Sequence, residues 1–163
     1  MDSATIIDRY YNLSLRFLSY RPRSEKEVVD YLTKKLSKAK SASGGKIEEV
    51  IQKKIIDKLK SYNFIDDTAF AKFWIEQRTK FKHKPFRVIE YELKQKGIDK
   101  GLIDEAMAKF DDKSTFDLEN ARKLAEKKLD FYRNLDVAKR KEKVMGFLLR
   151  KGFSYEIVKK VIR

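Results

Sequence analysis

The sequence contains no cysteine and few of the residues that interrupt helices. Without cysteine it has no disulfides, no thiolate metal ligands and no cysteine nucleophile. Its two prolines and six glycines leave long stretches that can form helix. The single histidine, His83, lies between Lys82 and Lys84, and a zinc site would need further ligands at defined spacing. We therefore expect His83 to be an exposed loop residue.

Sequence motifs for catalysis or cofactor binding are also missing. Gly44-Gly45 is not followed by Lys and then Ser or Thr, as a phosphate-binding loop requires. The acidic pairs Asp66-Asp67 and Asp111-Asp112 each precede an apolar helical stretch, where helix capping explains them better than acid–base or magnesium chemistry. We predict a protein that is not an enzyme, with no catalytic residue, no cofactor and no metal.

Long hydrophobic runs are absent as well. The densest apolar stretch, residues 144–149, is far too short to span a bilayer. The first residues lack a basic region followed by an apolar stretch, the pattern of a secretory signal. We expect a cytoplasmic protein that does not associate with a membrane.

The sequence contains a large excess of basic over acidic residues. Lys and Arg number 39 against 25 Asp and Glu, which gives a formal net charge of +14. Hydrophobic residues make up 42%, enough for a packed core, so the charge does not indicate disorder. Such a surplus favours a partner of opposite sign: nucleic acid, a nucleoprotein, an acidic protein groove or an anionic membrane. A merely solvated basic surface is the alternative.

An internal repeat becomes visible when the sequence is shifted by 55 residues against itself. Trp74 then falls on Leu129, and Arg78 falls on Arg133. The segment 96–98, Lys-Gly-Ile, falls on Lys-Gly-Phe at 151–153. Repeats of this kind indicate stacked helical units. We predict an all-α fold of three tandem three-helix repeats, residues 1–65, 66–110 and 111–163, forming an elongated row that is either straight or curved.

Capping residues and apolar spacing predict the helices of each repeat. In the second repeat they indicate a first helix over 67–80, a second from Pro85 to Gly97, and a third after Asp99. The first repeat has a first helix at 6–19, a second that starts at a capping box of Ser24 with Glu27, and a third at 47–62. A Ser/Gly insertion at 41–45 lies between the second and third helices. In the third repeat we predict a capping box of Ser114 with Asp117.

Basic residues cluster between the first and second helices of each repeat. A row of stacked repeats would present these clusters at regular intervals along its surface. Such an arrangement favours binding to a polyanion or a periodic filament, because the weak contacts of the individual clusters add up. A solvated face is again the alternative. The predicted binding residues are Arg21 and Arg23 in the first repeat, Arg78, Lys80, Lys82, Lys84 and Arg87 in the second, and Arg133, Lys139, Arg140 and Lys141 in the third.

Two other functional classes remain open at this point. The second helix, tight turn and third helix of a repeat superficially resemble a DNA-binding helix-turn-helix. Base reading favours Arg, Asn, Gln or Lys at the start of the last helix, and only Lys100 qualifies there, whereas Ser154 is followed by Tyr155 and Glu156. This argues against sequence-specific reading and leaves non-specific DNA binding open. A purely structural helical scaffold would have no salt-dependent partner.

Three stretches of the sequence resemble the RecX regulatory proteins: residues 21–27 (RPRSEKE), 64–71 (FIDDTAFA) and 92–98 (ELKQKGI), together with their spacing to Arg78. The resemblance implies tandem three-helix modules. It also implies that the partner is the RecA recombinase as a filament on single-stranded DNA. Members of the family depress ATP hydrolysis and strand exchange during recombination and DNA repair, so we expect a RecA inhibitor of the SOS response that acts as a monomer. Single- or double-stranded DNA stays open as a non-specific partner.

Two features depart from the family pattern. Many members have a glycine after the basic run that follows the middle arginine, whereas this sequence reads Lys-His-Lys-Pro at 82–85. The insertion at 41–45 also lengthens the first repeat. Both departures concern loop contacts rather than the fold.

Overall fold

The computed structural model describes residues 3–38, 46–110 and 112–163, and every regular element in these ranges is an α-helix. This confirms the predicted all-α fold. The insertion at 41–45 and Asp111 lie outside the described residues. The helices are α1 Ser3–Ser19, α2 Glu25–Lys38, α3 Lys46–Ser61, α4 Asp67–Lys80, α5 Phe86–Gln95, α6 Lys100–Met107, α7 Lys113–Phe131, α8 Val137–Arg150 and α9 Tyr155–Ile162.

The chain divides into two compact units. The first contains Met1–Phe73 and Gln95–Leu102, and the second contains Trp74–Lys94 and Ile103–Arg163. Helices α4, α5 and α6 each contribute residues to both units. The repeat boundaries at 65/66 and 110/111 stay a prediction, because the units group residues by contact and not by repeat.

In the first unit, α1, α2 and α3 enclose an apolar core. Helix α2 buries Val28, Leu32 and Leu36, which recur every four residues and therefore share one face. They meet Ile55 and Leu59 of α3, both fully buried. Burying a large aliphatic side chain contributes about 1.5–3 kcal/mol, so the contact between α2 and α3 stabilises the unit.

In the second unit, α7, α8 and α9 form the corresponding core. Small side chains at Ala121 and Ala125 let α7 approach its neighbours closely. Against them lie Val144 and Leu148 of α8 and Val158 of α9, all fully buried. Helices α7, α8 and α9 thus follow the three-helix plan that the repeat predicted.

The burial pattern corrects the repeat alignment over the first helix. Phe70, Ala71 and Ile75 are buried in α4, and the same pattern recurs at Asn120, Ala121 and Ala125 in α7, a shift of 50 residues. The later helices keep the shift of 55, since α5 buries Ile89 and Leu93 where α8 buries Val144 and Leu148.

The ungapped shift of 55 is therefore wrong over the first helix. Arg78 corresponds to Lys128, not to Arg133, and Trp74 corresponds to Leu124. The added residues form an extra first turn of α8, which contains Lys139 and Arg140.

Two aspartates cap helices of the preceding repeat. Asp67, the first residue of α4, accepts a hydrogen bond from the backbone N–H of Glu25, the first residue of α2, at 2.8 Å. Asp117 of α7 accepts one from the backbone N–H of Phe86, the first residue of α5, at 2.6 Å. Burial raises the pKa of both carboxyl groups, so each cap carries a desolvation cost that the amide hydrogen bond partly offsets.

Of the two predicted capping boxes, one is confirmed and one is wrong. Ser24 and Glu27 form the reciprocal box, with each side chain accepting from the other's backbone N–H at 3.2 Å. The predicted box of Ser114 with Asp117 is wrong. Asp112 caps α7 by accepting from the backbone N–H of Thr115 at 2.8 Å, because the helix starts earlier than expected and Asp117 is committed to α5.

Glycine is required where α5 and α8 end. Gly97 has φ +77° and Gly152 has φ +97°, a region that disfavours side chains. A β-carbon would also lie 2.7 Å from the side chain of Lys26 at Gly97, and 2.6 Å from Cγ2 of Val88 at Gly152. Both glycines therefore permit a turn and a close approach of the preceding repeat.

Removing the carboxylate at residue 117 should destabilise the fold. We expect Asp117→Ala to lower the free energy of unfolding by about 1 kcal/mol, because the first amide of α5 loses its acceptor. Asp117→Asn should retain most of the stability, since an amide oxygen can still accept. Urea denaturation followed by circular dichroism measures both variants. Asp30→Ala, in an exposed pair with Lys26, is the control, and an equal loss in the control would contradict this assignment.

Two glycine substitutions should have opposite signs. Gly152→Ala should lower the free energy of unfolding by at least about 1 kcal/mol, because it forces a β-carbon into positive φ and against Val88. Gly146→Ala, inside α8, where a β-carbon would lie 3.2 Å from the end of the flexible Arg150 side chain, should raise it by about 0.5–1 kcal/mol through helix propensity. Thermal melts compare the two, and a stabilised Gly152→Ala variant would refute the turn requirement.

Candidate binding surface

Glu92 anchors the connection between α4 and α5 in the second unit. Arg78 Nε donates to Glu92 Oε2 at 2.6 Å, Trp74 Nε1 donates to the same oxygen at 3.0 Å, and Lys84 pairs with Oε1. The Arg78 guanidinium also lies over the Trp74 ring at 3.9 Å. Burial alone would raise the pKa of Glu92, but the hydrogen bonds from Lys84 and Arg78 outweigh it and lower the pKa.

Glu27 anchors the connection between α1 and α2 in the first unit. Its carboxylate pairs with Arg21 and Lys96, each at 2.7 Å, and accepts from the backbone N–H of Ser24. The Ser24 hydroxyl donates to the backbone oxygen of Lys96 at 2.7 Å, which ties the end of α5 to the start of α2. Burial opposes ionisation, but the hydrogen bonds from Arg21 and Lys96 prevail and lower the pKa of Glu27 to about 2.

The ion pairs of Glu27 and Glu92 separate the predicted binding residues of the first two repeats into a half-buried group and an exposed group. Arg21, Arg78 and Lys84 are half-buried and hold the connections in shape. Lys80 and Lys82 are exposed, and Lys80 makes a long contact of 3.7 Å to Glu76 one turn earlier. Exposed pairs of this kind contribute little, so these cations are available to a partner. Arg87, at the start of α5, is also exposed.

His83 is half-buried, and the expectation of an exposed histidine is wrong. Its φ is +46° and its Nδ1 is shielded from solvent without a hydrogen-bond partner in the described part of the chain. Burial, together with the charges of Lys127 and Lys123, lowers the pKa of His83. The connection packs on α7, where Asn120 Nδ2 donates to the backbone oxygen of Lys84 at 3.2 Å.

Lys123 and Lys127 therefore belong to the same surface, and the sequence analysis missed them. Their spacing of four residues on α7 places them on one helix face, but only the packed connection shows that this face borders His83. We call Lys80, Lys82, His83, Lys123 and Lys127 the connector surface.

In the third repeat the predicted cations stand on or near the extra turn of α8. Arg133 and Lys139 are exposed and make long contacts of 4.0 and 3.7 Å to the nearby Asp130 and Asp136. Lys141 is exposed too. Arg140 is half-buried, and its Nε has no hydrogen-bond partner among the described residues.

What these surfaces offer chemically is a set of cationic hydrogen-bond donors. Among residues 3–38, 46–110 and 112–163, no three His, Asp or Glu side chains are placed to share a metal ion. No helix in the same ranges is long and apolar enough to cross a membrane.

Family models match all three repeats in order. The models for the first, second and third three-helix domains of RecX match residues 11–36, 66–107 and 116–162. The chain belongs to the RecX family. The matches confirm the resemblance seen in the sequence and the tandem three-helix plan.

Relatives and solved structures agree with this family assignment. Proteins named "Regulatory protein RecX" from Bacillus pumilus and Streptomyces lividans are 34% and 31% identical over 100% and 93% of the chain. The chain spans 60% of the first relative's length and 74% of the second's. The crystal structure of RecX from Lactobacillus salivarius has a TM-score of 0.71 at 30% identity, covering 98% of this chain and 96% of the other.

Acid should destabilise this RecX-family chain through Glu27. A folded-state pKa of about 2, below the ordinary 4.5, means that Glu27 contributes stability above pH 4.5 that is lost as the pH falls toward 2. Glu27→Gln should therefore be less stable at neutral pH and lose less on acidification. Urea unfolding across this pH range measures the effect. Glu49→Gln, at an exposed position of α3, removes one carboxylate in the same way and is the control. Parallel profiles of unfolding free energy against pH for wild type and Glu27→Gln would refute the contribution of Glu27 to stability.

Proposed function

We propose that the chain is a negative regulator of the RecA recombinase. It binds the RecA filament on single-stranded DNA and inhibits ATP hydrolysis and strand exchange during recombination and DNA repair in the SOS response. Membership of the RecX family is the single observation that carries the proposal. In this proposal the chain is a cytoplasmic monomer that acts by binding alone and has no catalytic residue or cofactor.

The charge distribution supports binding to a nucleoprotein. A net charge of +14 attracts a DNA-containing filament, and several weak phosphate contacts add up along a periodic partner. Direct contact falls to the exposed predicted cations: Lys80, Lys82, Arg87, Arg133, Lys139 and Lys141. Three of the half-buried ones, Arg21, Arg78 and Lys84, contribute by fixing the connections through their pairs with Glu27 and Glu92. Arg23 and Arg140 are also half-buried.

Inhibition requires a preference between states of the partner. A ligand shifts an equilibrium only by its differential affinity for the two states. The chain therefore binds the filament more tightly than it binds free RecA, and it favours a filament state that adds or turns over subunits poorly. Equal affinity for both forms would contradict this mechanism.

Non-specific DNA binding is the second candidate function. The exposed lysines would neutralise phosphates without RecA, and Lys100 begins α6 after a short turn, as in a helix-turn-helix. Tyr155 and Glu156 begin α9 and suit base reading poorly. Inhibition of RecA below the concentration at which the chain coats DNA favours the first function, and inhibition only at coating concentrations favours the second.

Charge reversal on exposed connector residues should weaken inhibition. We expect Lys80→Glu/Lys82→Glu/Arg87→Glu to raise the half-inhibitory concentration for single-stranded-DNA-dependent ATP hydrolysis roughly tenfold, about 1.4 kcal/mol of binding free energy. Lys46→Glu/Lys53→Glu/Lys54→Glu makes the same charge change on exposed positions of α3 as a control. Arg78 is left intact because its reversal would break the pair with Glu92. Equal inhibition by both triple variants, with unchanged helicity, would exclude Lys80, Lys82 and Arg87 from the binding site.

A further inference from the structure

The first unit has an open groove that its own core does not use. A cavity of about 850 Å³ lies between the end of α1, the segment that follows it, and the start of α4. We call it the α1/α4 groove. Its apolar walls include Leu15, Leu18, Phe64, Phe70 and Phe73, with Tyr20 at the same site.

Aromatic side chains at this groove are exposed to a degree that packing does not explain. Tyr20 is 72% exposed and Phe64 is 49% exposed, in contrast to Phe70 at 2%. Contiguous exposed apolar surface is costly for a protein in water and usually marks an interaction site. The volume lies in the range of ligand pockets, ~300–1,000 Å³, so the groove has room for side chains of a partner.

One wall of the groove is cationic. Arg23 lines it with its guanidinium over the Phe17 ring at 4.1 Å, and its Nε is shielded from solvent without an acceptor in the described residues. Burial and the neighbouring charge of Arg21 lower the pKa of Arg23, as expected for a partly desolvated cation. A shielded donor without an acceptor is costly, and a carboxylate is its strongest partner.

The other charged groups at the groove are already engaged. Arg21 is paired with Glu27, and Asp66 accepts from the backbone N–H of Ala69 at 2.9 Å as a cap of α4. Arg23 is therefore the cationic group at the groove that has no ion pair among the described residues.

We propose that the α1/α4 groove binds an apolar segment of RecA that carries a carboxylate. Apolar side chains of the segment cover Tyr20 and Phe64, and its carboxylate accepts from Arg23. The identity of the partner rests on the proposed function, and the charge of +14 favours an acidic partner. Protein contact through this groove is then separate from phosphate contact through the connector surface of the second unit.

Binding assays on free RecA, on the RecA–DNA filament and on oligo(dT) test this division. Tyr20→Ser/Phe64→Ser should raise the dissociation constant for free RecA at least tenfold, and Arg23→Gln about fivefold, at high salt where surface charges are screened. Binding to oligo(dT) should not change. Tyr91→Ser/Phe131→Ser, exposed by 63% and 71%, is the matched control and should bind as wild type does.

The outcomes separate this inference from the function on which it rests. If the wild-type chain binds neither free RecA nor the filament, both the function and the groove's partner are wrong. If wild type binds and the groove variants bind equally well, the groove inference fails while the function stands. If the groove variants lose oligo(dT) affinity instead, the groove binds nucleobases and the inference is overturned. Arg23→Gln keeps the test valid should the double variant prove unstable.

Discussion

A carboxylate from the first helix of one repeat accepts a hydrogen bond from the first amide of the second helix in the repeat before it. Asp67 does this for α2, and Asp117 does it for α5. The first amides of a helix have no partner within it, so an external acceptor fixes where the helix begins. Between the same successive repeats, Gly97 lies against Lys26 and Gly152 lies against Val88. Successive repeats are therefore joined through helix ends, not through broad apolar faces alone.

This joining decides the shape of the basic connections. Once α4 and α5 are fixed, Glu92 lies within reach of Arg78 and Lys84 and holds both. Two cations on one half-buried carboxylate leave that cluster with net positive charge, but the cations are not free to follow a ligand. The connection then presents Lys82 outward and packs His83 inward beside Lys123 and Lys127. The candidate binding surface therefore consists of exposed cations that do not pair with Glu92.

Much of the fold could be predicted from the sequence because its signals are local. The range of α4, Asp67–Lys80, and the reciprocal cap of Ser24 with Glu27 match the structure. The repeat alignment failed over α7 because an ungapped shift cannot show an added turn, and apolar residues every three or four positions match in more than one register. The box of Ser114 with Asp117 failed because the motif is local, whereas Asp117 bonds to Phe86, 31 residues away.

The sequence by itself determined the helices, the excess of positive charge and the membership of the family, since composition, caps and motifs act over a few residues. The tertiary structure alone decided which cations are exposed, why His83 is half-buried, and how Tyr20, Arg23 and Phe64 meet at one groove. The physical reason is that ion pairing and desolvation depend on distances between side chains, which exist only after the helices have packed.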